Sequence, residues 1–349
     1  MVTTTGFTVS RRPRRGAGGI TLGDVARLAS VSPITASRAL NTPDQVAPET
    51  LARVREAVAR TGYVPNRLAG GLASARSRLV AAVVPTITGP VFMEMVQSLT
   101  TALADAGYQL MLGQSGYTES REDALLEAII GRRPDGIVLT GIMHSSEGRR
   151  RLLASGIPVV ETWDLTPTPI DMLVGFSHAN AAAAVVRHLH AKGRRRLALL
   201  SGDDERALRR NRGFVEEALA LGVAHDAAQI AMHLVPAPTT LGAGRAGLAR
   251  LLEEAPDMDA VFCSSDLLAL GVLTEAAARG IAVPRQISVV GFGDLAFAGN
   301  THPALSTVRI DGTGIGQRAA RFIVDRAEGR PAGEKVVDVG FRIVERASS

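Results

Sequence analysis

The sequence contains a single cysteine, Cys263, and its aromatic residues make up only 4% of the chain. One cysteine excludes a disulfide framework within the chain and a cysteine-based zinc site, and it is typical of a reducing compartment. Because aromatic side chains are so few, the hydrophobic fraction of 46% must form cores that are mainly aliphatic. Such a composition is typical of domains that alternate short strands with helices.

Long apolar runs are absent as well. No segment reaches the roughly 18 apolar residues that a membrane-spanning helix needs, and residues 1–19 lack the apolar run of a signal peptide. We therefore expect a cytoplasmic protein. A length of 349 residues favours two or three domains.

Charge is distributed unevenly along the chain. The first 78 residues contain 12 arginines, no lysine and four acidic residues, whereas residues 79–349 contain 27 basic and 30 acidic residues. A basic head on a slightly acidic body suggests that one end binds a polyanion, although a solvated basic tail would produce the same imbalance. Residues 1–19 show no periodicity and are expected to be a disordered basic tail.

Residues 20–63 have helical periodicity throughout. The predicted helices cover about Leu22–Ala29, a segment beginning at Pro33, and about Pro48–Arg60. We expect Thr21 to cap the first helix, with Asp24 completing a capping box, and Ser32 to cap the second. Two short helices joined by a three-residue turn have the architecture of a helix-turn-helix.

The outward face of the second predicted helix carries side chains suited to DNA. They are Pro33, Ile34, Thr35, Ser37 and Arg38. Short hydroxyl side chains and the N–H groups at a helix start suit phosphates, and Arg38 can form two hydrogen bonds to a base edge. A small three-helix domain with no DNA role is the alternative.

From Leu79 onward, short apolar runs alternate with amphipathic segments. The predicted strands are Leu79–Val84, Gln109–Leu112, Gly136–Leu139, Pro158–Glu161, Leu173–Gly175, Arg196–Leu200, Gln229–Met232, Ala260–Cys263, Ser288–Phe292 and Leu305–Val308. The predicted helices between them include Val91–Ala106, Arg121–Ile130, Ala179–Ala191, Gly213–Leu221 and Leu267–Arg279. This alternation predicts right-handed βαβ units in parallel sheets. Ten strands exceed one ordinary sheet, so we expect two lobes that change over near Gly175–His178, with a ligand cleft between them.

Several motifs follow one another in the order and spacing of one bacterial family. They are Thr-Leu-x-Asp-Val-Ala (21–26), Val-Ser-x-x-Thr-x-Ser-Arg-x-Leu-Asn (31–41), Gly-Tyr-Val-Pro-Asn-Arg-Leu-Ala (62–69), Asp-Gly-Ile-Val-Leu (135–139), Gly-Ile-Pro-Val-Val (156–160), Phe-Cys-Ser-Ser-Asp-Leu-Leu-Ala-Leu-Gly (262–271), Ile-Ser-Val-Val-Gly-Phe (287–292) and Pro-Ala-Leu-Ser-Thr-Val (303–308). From about Ile20 to Val344 the chain resembles the lactose-repressor (LacI) family of transcriptional regulators.

The resemblance implies a domain organisation. An all-α helix-turn-helix domain at 20–63 would be followed by a hinge at 64–78. Residues 79–349 would form a two-lobed α/β domain like that of periplasmic binding proteins, with two parallel doubly wound sheets, for effector binding and dimerisation. The first lobe would comprise about 79–176 and 309–330, and the second about 177–308 and 331–345. The function implied is a sequence-specific DNA-binding regulator, in the simplest case a repressor.

The resemblance also implies roles for individual positions toward an operator. Residues 33, 34 and 38 would read bases, and phosphates would be contacted by Thr21, Ser32, Thr35, Ser37 and Asn41. Tyr63, Asn66, Arg67 and Leu72 complete the implied DNA-binding set. Residues 66–73 would form a hinge helix whose Leu72 enters the minor groove. Two glycines at 70–71 weaken that helix, so we expect it to fold only on DNA and against a partner subunit.

Some details are closest to the gluconate-utilisation repressors within this family. They are Pro-Val-Val-Glu161 followed by Asp164, Val-Gly-Phe176 and Gly-Phe-Gly-Asp294. Gly293 stands where most members have an acidic residue that would bind sugar hydroxyls, and its absence would suit an anionic ligand. The implied effector-binding residues are Phe92, Thr140, Glu161, Arg206, Arg210, Asp266 and Asp294. An arginine, Arg210 or Arg206, would hold a carboxylate. We expect a sugar acid such as gluconate, with a neutral sugar as the alternative.

Other functions fit the sequence less well. The run Gly312–Gly316 is a poor dinucleotide loop because no βαβ unit with a ribose-binding acid follows it. His188 and His190, two apart on a helix, face different directions and are not a metal pair. We therefore expect no enzyme, cofactor or metal. A transporter's periplasmic sugar-binding protein would need a signal peptide and no helix-turn-helix. An apolar heptad tail is missing after Val344, which favours a homodimer over a tetramer.

Overall fold

The computed structural model describes residues 19–64, 76–117, 119–142, 145–331 and 333–349. The chain divides into two compact units, Met1–Ala75 and Arg76–Ser349. The predicted basic tail, except for its last residue, and the predicted hinge helix with Asn66, Arg67 and Leu72 lie outside the described residues. Their roles stay predictions.

The described part of the first unit is a bundle of three helices. They are α1 (Leu22–Leu28), α2 (Pro33–Asn41) and α3 (Pro48–Thr61), with a short 3-10 turn at Pro43–Gln45. Its small core consists of Val25, Ala29, Ala39, Val54 and Ala57. Small side chains at the crossing of α1 and α2 let the two helices pack closely, as a helix-turn-helix requires.

The predicted caps are confirmed. The backbone N–H of Asp24 donates to the Thr21 hydroxyl, while the Asp24 carboxylate accepts from the backbone N–H of Thr21, which forms the capping box. Ser32 accepts from the backbone N–H of Thr35 at the start of α2. Ser30 has a φ of +53°, so the tight turn places a non-glycine residue in the left-handed region.

The second unit contains the strands and helices of the predicted α/β domain. The strands are β1 (Leu79–Val84), β2 (Gln109–Gln114), β3 (Gly136–Thr140), β4 (Val159–Thr162), β5 (Met172–Gly175), β6 (Leu197–Gly202), β7 (Ala231–Val235), β8 (Ala260–Cys263), β9 (Ser288–Phe292), β10 (Ser306–Arg309), β11 (Val336–Asp338) and β12 (Arg342–Val344). The helices are α4 (Met93–Asp105), α5 (Glu119–Ile130), α6 (Ser146–Ser155), α7 (His178–Ala191), α8 (Glu205–Ala220), α9 (Leu241–Glu254), α10 (Asp266–Ala278) and α11 (Gly312–Ala327).

These strands form two six-stranded sheets, one in each lobe. The first has the order β11-β5-β4-β3-β1-β2 and the second β12-β10-β9-β8-β6-β7. All recorded pairs in the first sheet are parallel, and the central strands are buried on both faces by helices. Both faces of such strands must be apolar, which explains why they read as continuous aliphatic runs.

The last part of the chain differs from the sequence prediction in two ways. Residues 331–345 were assigned to the second lobe, but β11 pairs with β5 in the first. In addition, β12 runs antiparallel to β10, so the second sheet is not purely parallel. Both strands have three residues and lie at a sheet edge, where pairing partners rather than a hydrophobic pattern decide which sheet a segment joins.

Some predicted boundaries also differ from the structure. Helix α8 begins at Glu205, capped by Asp204, eight residues before the predicted start at Gly213. Strand β7 starts two residues later than predicted because Ala227–Gln229 forms a 3-10 turn. Helices α6, α9 and α11 were not among the examples named from the sequence, but α6 and α9 lie between strands, where helices were expected. No helix among the described residues is long and apolar enough to cross a membrane.

The glycine run at 312–316 forms the first turns of α11 rather than a loop. This helix packs on α4, and a Cβ added at Gly316 would lie 2.4 Å from the carbonyl oxygen of Met95 and 2.1 Å from the Ser98 hydroxyl. The Ser98 hydroxyl also donates to the carbonyl of Thr313. Gly316 therefore permits a close contact between α11 and α4.

We expect Gly316→Ala to lower the free energy of unfolding of the second unit by about 1–3 kcal/mol, because the added methyl group meets a backbone atom that cannot move aside. Urea unfolding followed by circular dichroism measures this. A matched control is Gly242→Ala in α9, where the site is exposed and the nearest atom to the new Cβ lies 3.9 Å away. There, helix propensity should stabilise the protein by up to about 1 kcal/mol. Equal effects of the two substitutions would contradict this explanation.

Candidate DNA-contacting face and ligand pocket

Helix α2 presents short polar side chains to solvent. The Ser32 and Thr35 hydroxyls lie 2.9 Å apart, and the Asn41 amide donates to the Ser37 hydroxyl at 3.2 Å. All four residues are exposed or half-exposed. Hydroxyl and amide groups held in this way at a helix surface can donate to phosphate oxygens.

Between these polar groups lie the side chains with which α2 could read bases. Ile34 is 71% exposed, which is unusual for a large aliphatic side chain. Pro33 and Arg38 are also exposed, and Arg38 is the only charged residue of the helix. Among the described acidic residues, none lies within 4.0 Å of its guanidinium. An apolar side chain suits a thymine methyl group, and a free guanidinium suits the acceptor edge of guanine.

Two other predicted DNA contacts have structural roles in the first unit. The Thr21 hydroxyl donates to the Asp24 carboxylate at 2.7 Å as part of the capping box, but the residue remains exposed. Tyr63 is half-buried and packs against the small core. The cap leaves Thr21 accessible, whereas part of the Tyr63 ring is used in packing.

The second unit has a pocket at the carboxyl ends of both sheets, and this pocket is partly open to solvent. The first lobe contributes residues that follow β1, β2 and β4, and the second lobe contributes residues that follow β6, β7, β8 and β9. The residues that matter below are Thr86, Phe92, Tyr117, Trp163, His178, Asp204, Arg206, Arg210, Pro238, Ser264, Ser265 and Phe292. Ligands of open α/β sheets bind at this edge, as the sequence predicted.

Arg210, on α8, lines this pocket and is 6% exposed. Its guanidinium donates to Nδ1 of His178 at 3.0 Å and to the carbonyl oxygen of Ser264 at 3.1 Å. It also lies over the Phe292 ring, 4.1 Å from the centroid. Burial lowers the pKa of Arg210 to about 10, so the group remains charged at neutral pH. Its Nε is buried and has no hydrogen-bond partner.

His178 is the first residue of α7, where the chain crosses from the first lobe to the second. Its Nε2 lies 2.9 Å from the carbonyl oxygen of Trp163. Burial, and then the charge of Arg210, hold the pKa of His178 well below its usual value. The ring is therefore neutral and packs edge-on against Phe176, with centroids 4.5 Å apart.

Arg206, one turn before Arg210 on α8, also lines the pocket. It donates to the carbonyl oxygen of Thr140 at 3.1 Å and lies over the Phe92 ring at 5.0 Å. Its Nε is 3.7 Å from a carboxylate oxygen of Asp204. Because Thr140 belongs to the first lobe, this hydrogen bond joins the two lobes beside the pocket.

Three carboxylates that were predicted to contact the ligand do not line this pocket. Glu161 is fully buried and accepts from the backbone N–H of Ile170 at 2.7 Å. Asp266, also fully buried, accepts from the Thr307 hydroxyl and the Leu295 backbone. Both carboxylates therefore accept hydrogen bonds from groups of the protein, whereas the sequence predicts that they accept from the hydroxyl groups of a sugar.

The third carboxylate, Asp294, forms ion pairs with Arg309 and Arg346. Among the described residues that line the pocket, the acidic one is Asp204, the cap of α8.

The carboxyl group of Asp266 is perturbed by its surroundings. Burial raises the pKa of Asp266 to about 6, although the hydrogen bonds from Thr307 and Leu295 act in the opposite direction.

Of the predicted effector residues, the structure brings Phe92, Arg206 and Arg210 together in the pocket and places Thr140 in the adjoining recess. Sequence reasoning missed His178, Trp163, Ser264 and Phe292. They come from four separate elements, so no spacing connects them. The one available signal was the position of His178 directly after the predicted change between lobes.

Comparison with known proteins agrees with this architecture. Residues 21–66 match the bacterial regulatory proteins of the lacI family, and residues 186–349 match the periplasmic binding protein-like domain. The HTH-type transcriptional regulator GntR of Pseudomonas aeruginosa is 38% identical over 98% of this chain and 99% of its own.

Two solved structures are also similar. A LacI family transcriptional regulator from Silicibacter pomeroyi is 32% identical, with a TM-score of 0.88, over 94% of this chain and 99% of its own. The transcription regulator GntR from Chromobacterium violaceum is 36% identical, with a TM-score of 0.74, over 78% of this chain and 99% of its own. The chain therefore belongs to the LacI family of bacterial regulatory proteins and is a transcriptional regulator with a DNA-binding domain and a ligand-binding domain.

Proposed function

We propose that this regulator is a repressor that binds a pseudo-palindromic operator as a homodimer and is controlled by a sugar acid such as gluconate. A two-fold dimer presents two copies of α2, which fits two half-sites related by the same symmetry. In each copy, Pro33, Ile34 and Arg38 read bases. The phosphates are contacted by Thr21, Ser32, Thr35, Ser37 and Asn41.

We propose a sugar acid because of the environment of Arg210. Its guanidinium is buried in the pocket, keeps its charge, and has an Nε with no hydrogen-bond partner. A buried cation is costly unless an anion or several acceptors compensate it. A ligand carboxylate in the pocket would supply the opposite charge.

The rest of the pocket suits the polyhydroxylated part of such a ligand. Phe92, Trp163 and Phe292 offer apolar faces to its carbon chain, while Asp204 and Ser265 offer acceptors to its hydroxyl groups. Few polar groups on a mainly apolar lining are typical of small-molecule sites.

Ligand binding would act through the relative orientation of the two lobes. Near the pocket the lobes are joined by the hydrogen bond from Arg206 to Thr140 and by the ion pair of Arg209 with Asp164. A ligand that contacts both lobes binds one orientation better than another and so shifts the population of DNA-binding molecules.

A neutral sugar is the second candidate, favoured by Asp204, whose carboxylate could accept from two hydroxyl groups. Calorimetry with gluconate, 2-ketogluconate, glucose and ribose distinguishes the two. We expect an acid to bind more tightly than glucose and to change the affinity for operator DNA, measured by fluorescence anisotropy. Equal affinity for gluconate and glucose would reject the acid and favour the neutral sugar.

A further inference from the structure

The hydrogen bonds of His178 determine both its tautomer and its charge. A guanidinium has only donors, so Nδ1, 3.0 Å from the terminal nitrogen of Arg210, must accept. The other ring nitrogen, Nε2, must then carry the proton and donate to the carbonyl of Trp163. An imidazole that accepts at one nitrogen and donates at the other is neutral.

Among the described residues, the groups recorded in contact with the Arg210 guanidinium are therefore uncharged. Besides His178, these groups are the carbonyl oxygen of Ser264 and the ring of Phe292. Within the described part of the chain, no carboxylate lies within 4.0 Å of this guanidinium. The neighbouring arginines of α8 differ, since Arg206 is paired with Asp204 and Arg209 with Asp164.

The position of the imidazole is fixed by packing as well as by hydrogen bonds. His178 is 3% exposed, and its ring packs against both Phe176 and Phe292, with centroids 4.5 Å and 6.1 Å away, while the two phenyl centroids lie 6.1 Å from each other. The ring can neither turn away nor be replaced by water without breaking this apolar contact. It consequently holds the Arg210 guanidinium in one orientation at the pocket.

We propose that His178 is a positioning residue that sets the charge preference of the pocket. As a neutral acceptor, its imidazole orients the Arg210 guanidinium without neutralising it. The positive charge of Arg210 therefore remains available to the ligand. A carboxylate at this position would orient the same guanidinium and neutralise it, and the pocket would then favour an uncharged ligand. The inference rests on the proposed acid effector and names the residue that selects for it.

The test compares His178→Asp with His178→Asn, which have nearly the same size and differ in charge. Calorimetry gives the affinities for gluconate and for glucitol, which has the same carbon chain and no carboxylate. In wild type, we expect gluconate to bind more tightly. His178→Asn should weaken both ligands somewhat and keep most of that preference, because its amide oxygen can still accept from Arg210. His178→Asp should lower the gluconate-to-glucitol preference by about tenfold or more, as expected for an opposite charge next to a buried guanidinium.

Three calorimetric outcomes overturn the proposal. If His178→Asp keeps the wild-type preference, or if His178→Asn loses it equally, the charge at this position does not select the ligand. If wild type binds glucitol as tightly as gluconate, the acid effector fails together with this inference. Nuclear magnetic resonance on wild type with ¹⁵N-labelled histidine gives a second readout at pH 7, should the aspartate variant not fold. A neutral His178 ring protonated on Nε2, before and after gluconate is added, supports the proposal, and an imidazolium contradicts it.

Discussion

Arg210→Met is expected to weaken gluconate binding by about 2–4 kcal/mol, which is roughly a 30-fold to 1000-fold loss of affinity. Methionine keeps most of the apolar volume over the Phe292 ring but has no charge and no donor. The substitution should leave the affinity for glucose nearly unchanged, because a neutral sugar has no carboxylate and forms no ion pair with Arg210. Calorimetry with both ligands measures the two effects.

A structural cost of the same substitution has to be separated from the loss of binding. Without Arg210, Nδ1 of His178 and the carbonyl of Ser264 lose their donor, which costs about 1–3 kcal/mol of folding free energy for an unsatisfied buried group. Part of this is offset because a buried charge is removed. Thermal unfolding of the unliganded protein measures the balance.

The matched control is Arg212→Met, two residues further along α8, where the side chain is 60% exposed and paired with Glu205. This variant should bind gluconate within about twofold of wild type, since exposed ion pairs contribute little. If Arg210→Met binds gluconate as well as wild type, or if glucose binding falls by the same factor, Arg210 does not hold a carboxylate.

Arg38→Ala is expected to cost about 1–3 kcal/mol at each half-site of the cognate operator, and hence more for a dimer that occupies both. The guanidinium is exposed on α2 and free to form two hydrogen bonds with a guanine edge. Affinity for random DNA should change little, because nonspecific binding depends on phosphate contacts. Fluorescence anisotropy at one fixed salt concentration, on operator and on random duplexes, measures both.

A useful control is Arg60→Ala on α3, whose guanidinium is also exposed and lies 4.0 Å from Glu56. We expect it to leave the preference for operator over random DNA unchanged. Equal losses on operator and random DNA for Arg38→Ala would show that this arginine contacts phosphate and carries no sequence information.

The helix-turn-helix was predictable because its determinants are local. A capping box at Thr21 and Asp24, a serine cap before Pro33 and a glycine after α3 each act within one helical turn, so they can be read from neighbouring residues. The central strands were predictable for a similar reason. Strand β1 (Leu79–Val84) is buried on both faces beyond its first residue and therefore appears as an uninterrupted aliphatic run.

Patterns within the sequence were sufficient to predict the two-unit organisation, the order of most strands and helices, and the family to which the chain belongs. Folding decided which sheet Val336–Asp338 joins, because edge strands of three residues are defined by their partners. It also decided the charge environment of Arg210. His178 and Ser264 approach this guanidinium from positions 32 and 54 residues away. Burial and hydrogen bonds between such distant residues exist only after folding, and they leave Arg210 charged while the imidazole beside it is neutral.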